Sequence, residues 1–186
     1  VSKVSPAKVL PCSLFLLLWN CIWSQAVQIE SIAFYNVENL FDPENDPDTF
    51  DDDYTPEGRN HWTQRLGSQK IGQLAGVIAQ IGVEETGKPP LLVGLAEIEN
   101  RNVLEELIAH PKLREFGYDI VHFDSPDMRG IDVALLYRKS LFLLESTKKY
   151  KLFLTDPKTQ HRRTTRDQLV VSGFWYEVEF MISVNH

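Results

Sequence analysis

Residues Leu91–Asn100 read LLVGLAEIEN. Leu91 to Ala96 carry no polar side chain, and Pro89-Pro90 precede them. A short apolar run bounded by proline predicts a fully buried strand. It ends in one carboxylate, Glu97, followed by Ile98, Glu99 and Asn100. In open α/β sheets, ligands collect at the carboxyl ends of strands. A carboxylate there is costly unless a cation or a donor compensates it. Glu97 is therefore either a metal ligand or a salt-bridged structural acid.

Upstream, Gln28 to Val37 is rich in β-branched and aromatic residues and predicts a first strand, with Asn36 near its end. Asp42 to Asp53 (DPENDPDTFDDD) is an acidic, proline-broken loop, predicted to be solvated. Asp42, Glu44, Asp46 and Asp48 alternate as calcium ligands do. No glycine supplies the mid-loop turn of a calcium loop, so a plain solvated loop is preferred. Thr63 is placed to cap a helix running to about Ile81, with Leu66, Ile71, Leu74, Ala75, Ile78 and Ile81 as its apolar stripe. Trp62, just before the cap, is positioned as a hydrophobic staple.

Downstream, Asn102 to Ile108 predicts a second helix that His110-Pro111 ends. Strands are expected at Tyr118–Val121 and Ile131–Tyr137, with short apolar runs at Leu141–Leu144 and Tyr150–Leu154. Asp156 to Asp167 is polar and basic. Gln168–Ser172 and Glu177–Val184 predict paired strands with Gly173 near the turn. Strand, helix, strand, helix and then several closely spaced strands is a mixed α/β order.

At 186 residues the chain is long enough for one domain with a sizeable core. Apolar content of 43% and charged content of 24% predict a globular rather than a disordered chain. A formal net charge of −7 argues against field-driven, nonspecific nucleic-acid binding, but not against an enzyme that recruits a phosphodiester through divalent cations. Residues 1–26 have the pattern of a signal peptide. Lys3 and Lys8 precede an apolar run from Val9 to Trp23, and Ser24-Gln25-Ala26 offers small residues at a cleavage site. Pro11 and Asn20 interrupt that run, which is short for a membrane span. Cleavage is preferred to an uncleaved anchor, leaving no stable membrane anchor and a secreted or periplasmic protein. Both cysteines, Cys12 and Cys21, lie in the removed segment, so no disulfide framework is expected.

FYNVENLFD (34–42), LLVGLAEIEN (91–100), MRGIDVALLYRK (128–139), TTRDQLVV (164–171) and SVNH (183–186), in that order, resemble the endonuclease/exonuclease/phosphatase superfamily, relatives of pancreatic deoxyribonuclease. The acidic insert before TPEG and the helix beginning WTQR resemble a bacterial secreted subgroup. The resemblance implies a four-layer α/β sandwich, two sheets face to face with helices outside. It implies phosphoester cleavage with Mg2+ (or Mn2+ or Ca2+). Glu97 matches the metal-binding glutamate, and Asn36 the asparagine that helps hold the metal or a catalytic water. His186 matches the histidine that contacts the scissile phosphate. Asp132 falls in the element that shapes the substrate pocket, a surface acid being the alternative. Arg166, in TTRD, suits a phosphate contact.

The family's Asp-x-Asn motif and late Asp-His pair do not occur in these 186 residues. The expectation is thus residues 27–186 as an incomplete domain, truncated on its C-terminal side and inactive by itself, from a divalent-metal-dependent phosphodiester hydrolase, foremost an endonuclease. The partner would be nucleic acid or another phosphoester. The alternatives are a phosphomonoesterase or lipid phosphodiesterase of the same superfamily, and a non-catalytic, cation-binding secreted module.

Overall fold

The computed structural model describes residues 27–186, so the expected signal peptide lies outside the described residues. β1 (Ile32–Leu40) is followed by α1 (Gln64–Ile78), the short α2 (Val83–Thr86) and β2 (Leu92–Ile98). After α3 (Arg101–Ala109) come β3 (Tyr118–His122), β4 (Asp132–Arg138) and β5 (Phe142–Tyr150). A ribbon of β6 (Leu154–Thr155) and β7 (Arg162–Arg163) precedes β8 (Gln168–Trp175) and β9 (Val178–Val184).

Two sheets form. The first has the order β1-β2-β4-β3, with β1 and β2 parallel and the other pairs antiparallel. The second, β5-β8-β9, is antiparallel throughout. Val93, Leu95, Ala134 and Leu136 pack against Ile71, Leu74, Ala75 and Ile78 of α1 and Val103, Leu104 and Leu107 of α3. The opposite face of the same strands, Leu92, Ala96, Val133 and Leu135, packs on Phe142, Leu169, Val171 and Val184 of the second sheet. The apolar side chains of β2 thus divide between two cores, Val93, Leu95 and Ile98 on one side and Leu92 and Ala96 on the other, which is why the run shows no polar alternation. The layers are helices, mixed sheet and antiparallel sheet, three of the four layers of the α/β sandwich that the resemblance implies. The outer face of the second sheet carries no helix among the described residues.

Several boundaries differ from the sequence reading for local reasons. Thr63 does cap α1, its side chain accepting from the Leu66 N–H at 3.4 Å. Trp62 is not a staple, because the position it would pack against is Gly67. Its indole N–H donates instead to the Phe41 carbonyl at 2.9 Å. The acidic loop is only partly solvated. Tyr54 stacks on Phe41 with ring centroids 4.1 Å apart, and Asp51, whose Oδ2 accepts the Asp46 N–H at 2.9 Å, is 1% exposed. Asn100, rather than Asn102, begins α3; its side chain accepts from the Val103 N–H at 3.1 Å. β8 runs through Gly173, and its hairpin turn is at Tyr176-Glu177, with Tyr176 in the left-handed region. Gly173 serves close packing: a Cβ there would lie 2.5 Å from the Phe142 ring.

Candidate active site

β1, β2 and β9 deliver three of the predicted residues to one place. Asn36 pairs with Ala96 across the parallel ladder. The register then slips on both sides of β2, between Ala96 and Ile98. Glu97 is the residue in the slip, with φ of 68°. The bulge has a packing cause. Uninterrupted alternation would aim Glu97 into the helix-side core with Val93 and Leu95. With Glu97 taking the extra step, Ile98 fills that core position instead. The carboxylate is left at the strand end, its side chain 16% exposed.

β9 approaches this point because β2 carries Gly94. A Cβ at Gly94 would lie 3.2 Å from the Phe34 ring and 3.4 Å from both Val184 methyls. Two residues beyond Val184, the His186 Nε2 lies 3.2 Å from the Asn36 Nδ2 and 3.3 Å from the Glu97 Oε1. One imidazole nitrogen cannot accept from the amide and donate to the carboxylate at once. The Asn36 amide is also fixed, since its Oδ1 accepts the Glu38 N–H at 2.8 Å.

Two further residues adjoin this point. Glu38 and Asn39 both occupy the left-handed region, φ 56° and 63°, and turn β1 away after Asn36. Such backbone is costly for non-glycine residues and needs support. Lys70 of α1 supplies it, donating to the Glu38 carbonyl and, at 3.1 Å, to the Asn39 carbonyl. Its ammonium lies 5.7 Å from the centre of the Trp62 ring. Burial holds the Lys70 pKa below its ordinary value, and the Glu38 and Glu97 carboxylates partly offset this. The Tyr54 hydroxyl is pushed the other way by burial and then by Glu97. The lysine was legible in part: a cation beside Ile71 and Leu74 on an apolar helix face invites a partner.

Arg166 shares a cleft of about 120 Å3 with His186 and Lys151. Its Nη1 donates to the Asp127 carboxylate at 3.0 Å. Asp132 is not gathered with the others. It is 3% exposed, and its Oδ1 accepts from the Ser125 N–H at 3.0 Å and from the Ser125 hydroxyl. Its Oδ2 lies 3.3 Å from the His122 Nε2. Asp132 lines a separate acidic cleft of about 500 Å3, with Asp42, Glu44, Asp46 and Glu99. Burial, with the carboxylates of Asp42, Asp51 and Asp46, pushes the Glu99 carboxyl up to about 8.

The endonuclease/exonuclease/phosphatase family model matches residues 31–186. The chain belongs to this family. Solved structures similar to it include a humanized D. rerio TDP2, at 14% identity and a TM-score of 0.47, over 82% of this chain and 44% of that one. ANGEL2, a 2′,3′-cyclic phosphatase, matches at 15% identity and a TM-score of 0.45, over 83% and 39%. A functionally unknown conserved protein from Enterococcus faecalis V583 matches at 17% and 0.47, over 83% and 52%. The chain spans about two fifths to one half of these structures' lengths. No curated protein matches its sequence. Family membership rests on the family match, in whose span Asn36, Glu97, Arg166 and His186 all fall.

The donor set suits a hard divalent cation. Glu97 offers carboxylate oxygens, and Asn36 an amide oxygen with a second lone pair beyond the one that accepts the Glu38 N–H. Magnesium takes such oxygens from one or two residues and keeps waters for the rest.

Proposed function

We propose that the chain carries the metal-binding and phosphate-binding half of a divalent-metal-dependent phosphodiester hydrolase, an endonuclease in its most specific form. The observation that carries this reading is the meeting of Asn36, Glu97 and His186 at the ends of three strands, within 3.3 Å contacts, although 150 positions separate the outer two. Glu97 and Asn36 would hold the cation (Mg2+, with Mn2+ or Ca2+ as substitutes). When bound, it would supply Lewis-acid stabilisation of phosphate charge. In this reading His186 would donate to a phosphate oxygen and Arg166, which lines the same cleft, would contact a neighbouring one. Lys70 holds the turn from which the Asn36 amide is aimed.

The Asp-x-Asn motif and Asp-His pair, which in the family would complete the water-activating side of the site, do not occur in these 186 residues. The chain by itself is expected to bind metal and phosphate but not to turn over. We infer from the signal-peptide pattern of residues 1–26 that the protein is exported, to be secreted or periplasmic. Amino-terminal sequencing of exported protein should then begin at Val27.

The test is Mn2+ binding followed by electron paramagnetic resonance. Glu97→Gln should weaken it roughly 10- to 100-fold, the range typical of disturbed metal sites. Undiminished Mn2+ binding in Glu97→Gln would refute the metal assignment. Metal-dependent plasmid cleavage by the purified chain, lost in Glu97→Gln, would refute the half-site reading. A phosphomonoesterase or lipid phosphodiesterase would share this half-site and would be told apart by its substrates.

A further inference from the structure

β3 ends on His122 and β4 begins on Asp132. The strands are antiparallel, and His122 pairs with Ala134, two residues beyond Asp132. Asp132 is therefore the diagonal neighbour of His122 on one sheet face, within reach of a long side chain. Ile120 and Ala134, on that same face, belong to the helix-side core. The His122 side chain is 3% exposed. An imidazole buried there needs partners for its ring nitrogens.

Nε2 lacks one. It lies 3.3 Å from the Asp132 Oδ2, yet it is buried without a hydrogen-bond partner among the described residues. Asp132 is held in place from its other oxygen: Oδ1 accepts from the Ser125 N–H at 3.0 Å and from the Ser125 hydroxyl. That leaves Oδ2 beside the imidazole. Asp124, two residues past His122, adds a second carboxylate, with its Oδ1 3.9 Å from the His122 Nδ1 and its side chain 92% exposed. One ligand atom from each of the three residues lies within 4.8 Å of the other two. Two atoms each about 2.0–2.2 Å from a tetrahedral metal stand about 3.3–3.6 Å apart. The separation of Nε2 and Oδ2 fits such an edge.

The surroundings favour a cation. Asp124, Ser125 and Asp132 line the acidic cleft, which no described lysine or arginine lines. A cleft lined by one sign of charge concentrates the opposite ion. Lys149 reaches this loop, but its ammonium donates to the Asp124 carbonyl at 2.8 Å and lies 3.9 Å from the Asp167 Oδ2. The Asp124 carboxylate keeps its charge for another cation.

We propose that His122, Asp124 and Asp132 form a second divalent-cation site, for a borderline transition ion such as Zn2+. The imidazole decides the class: it suits zinc, whereas magnesium and calcium take oxygen ligands. Nε2 and Oδ2 are the first two ligands, the Asp124 carboxylate closes as the third, and water from the cleft takes the fourth position. Ser125 is a positioning residue that orients Asp132. The ion ties Asp124 to β3 and β4 and so fixes the start of the loop whose Asp127 accepts from Arg166. The site shares no residue with Asn36, Glu97 and His186 and does not depend on the phosphodiesterase reading.

The experiment is calorimetric titration of Zn2+ into the intact chain carrying Glu97→Gln, which disables the first site. One Zn2+ per chain is expected, with a rise in Tm on binding. Adding Asp124→Asn, on an exposed side chain that the fold does not need, should weaken binding at least about 10-fold, and His122→Gln at least about 100-fold. Ser125→Ala should weaken it about 10-fold without removing a ligand. X-ray absorption at the zinc edge should show one imidazole, lost in His122→Gln. Absence of Zn2+ binding in the Glu97→Gln chain would overturn the proposal. So would unchanged affinity in Asp124→Asn and His122→Gln, or a zinc spectrum without imidazole. Should His122→Gln fail to fold, Asp124→Asn and Ser125→Ala decide, and wild-type affinity in both would overturn it. The two sites fail separately. Zn2+ binding lost with Glu97→Gln removes this site and leaves the Glu97 assignment. Zn2+ binding that survives Glu97→Gln and is lost with His122→Gln supports this site, whatever Mn2+ shows at Glu97.

Discussion

Glu99→Gln should stabilise the fold at alkaline pH and remove a pH dependence that the wild type shows. Glu99 is 9% exposed, and its Oε2 accepts from the Asp42 N–H at 2.7 Å and from the Asn100 amide at 3.2 Å. A glutamine keeps one oxygen for those donors. What it removes is a negative charge held against burial and against Asp42, Asp51 and Asp46, which raise the carboxyl from 4.5 to about 8. Below pH 4.5 folded and unfolded chains both hold the proton, and the variant should match the wild type. Between 4.5 and about 8 the unfolded chain has released a proton that the folded chain retains, so wild-type stability falls as pH rises and levels off above about 8. That interval corresponds to an upper bound of roughly 5 kcal/mol. Solvent at the open mouth of the acidic cleft screens the neighbouring carboxylates and brings the expected difference near pH 9 to about 2 kcal/mol. For a chain of this size that is about 4–8 °C in Tm. Urea unfolding in EDTA at pH 4, 6.5 and 9 measures it directly. A wild type whose stability is flat or rising across this window, or a Gln variant less stable than wild type at pH 9, would refute the reasoning.

Two further substitutions test the packing around the site. Gly173→Ala places a Cβ 2.5 Å from both the Leu143 carbonyl and the Phe142 ring, and Phe142 is 1% exposed with little room to yield. It should cost about 1–3 kcal/mol, read as a lower urea midpoint; an unchanged midpoint would mean that β5 and β8 separate freely. Lys70→Met keeps the apolar stem and removes the donors to the Glu38 and Asn39 carbonyls, so it should cost about 1–3 kcal/mol by the same assay. No loss would show that the left-handed turn after Asn36 stands without Lys70.

The core strands were legible because each carries an apolar run placed between two cores, LLVGLA in β2 and VALLY, after Asp132, in β4. The parallel partner, β1, was harder to bound. It extends past Asn36 to Leu40 through two residues with positive φ, which asparagine tolerates at Asn39 but no propensity predicts for Glu38. β5 was read too short because only its first residues are apolar. From Glu145 to Tyr150 it is mostly polar and exposed, held by ladder pairing to β8 rather than by burial. The acidic loop was read as solvated because composition cannot show that Tyr54 stacks on Phe41 or that Asp51 is buried.

Glu97 shows most clearly what sequence order can and cannot supply. Its position after Ala96 marked it as the acid at a strand end. The residue that settles its orientation is Ile98, an isoleucine whose burial in the helix-side core requires one extra step in the strand. A two-residue periodicity read through the end of LLVGLAEI puts Glu97 beside Val93 and Leu95, among α1 and α3, where an uncompensated carboxylate would cost several kcal/mol. The bulge exchanges that cost for one left-handed residue, of order 1–3 kcal/mol. It also places the carboxylate where His186 arrives. That arrival depends in turn on Gly94, three residues earlier in the same strand, where the absence of a side chain lets Val184 of the facing sheet come close. LLVGLAEIEN therefore encodes the site twice over, through the acid it presents and through the two apolar-face devices, Gly94 and Ile98, that bring the second sheet to it and turn it outward.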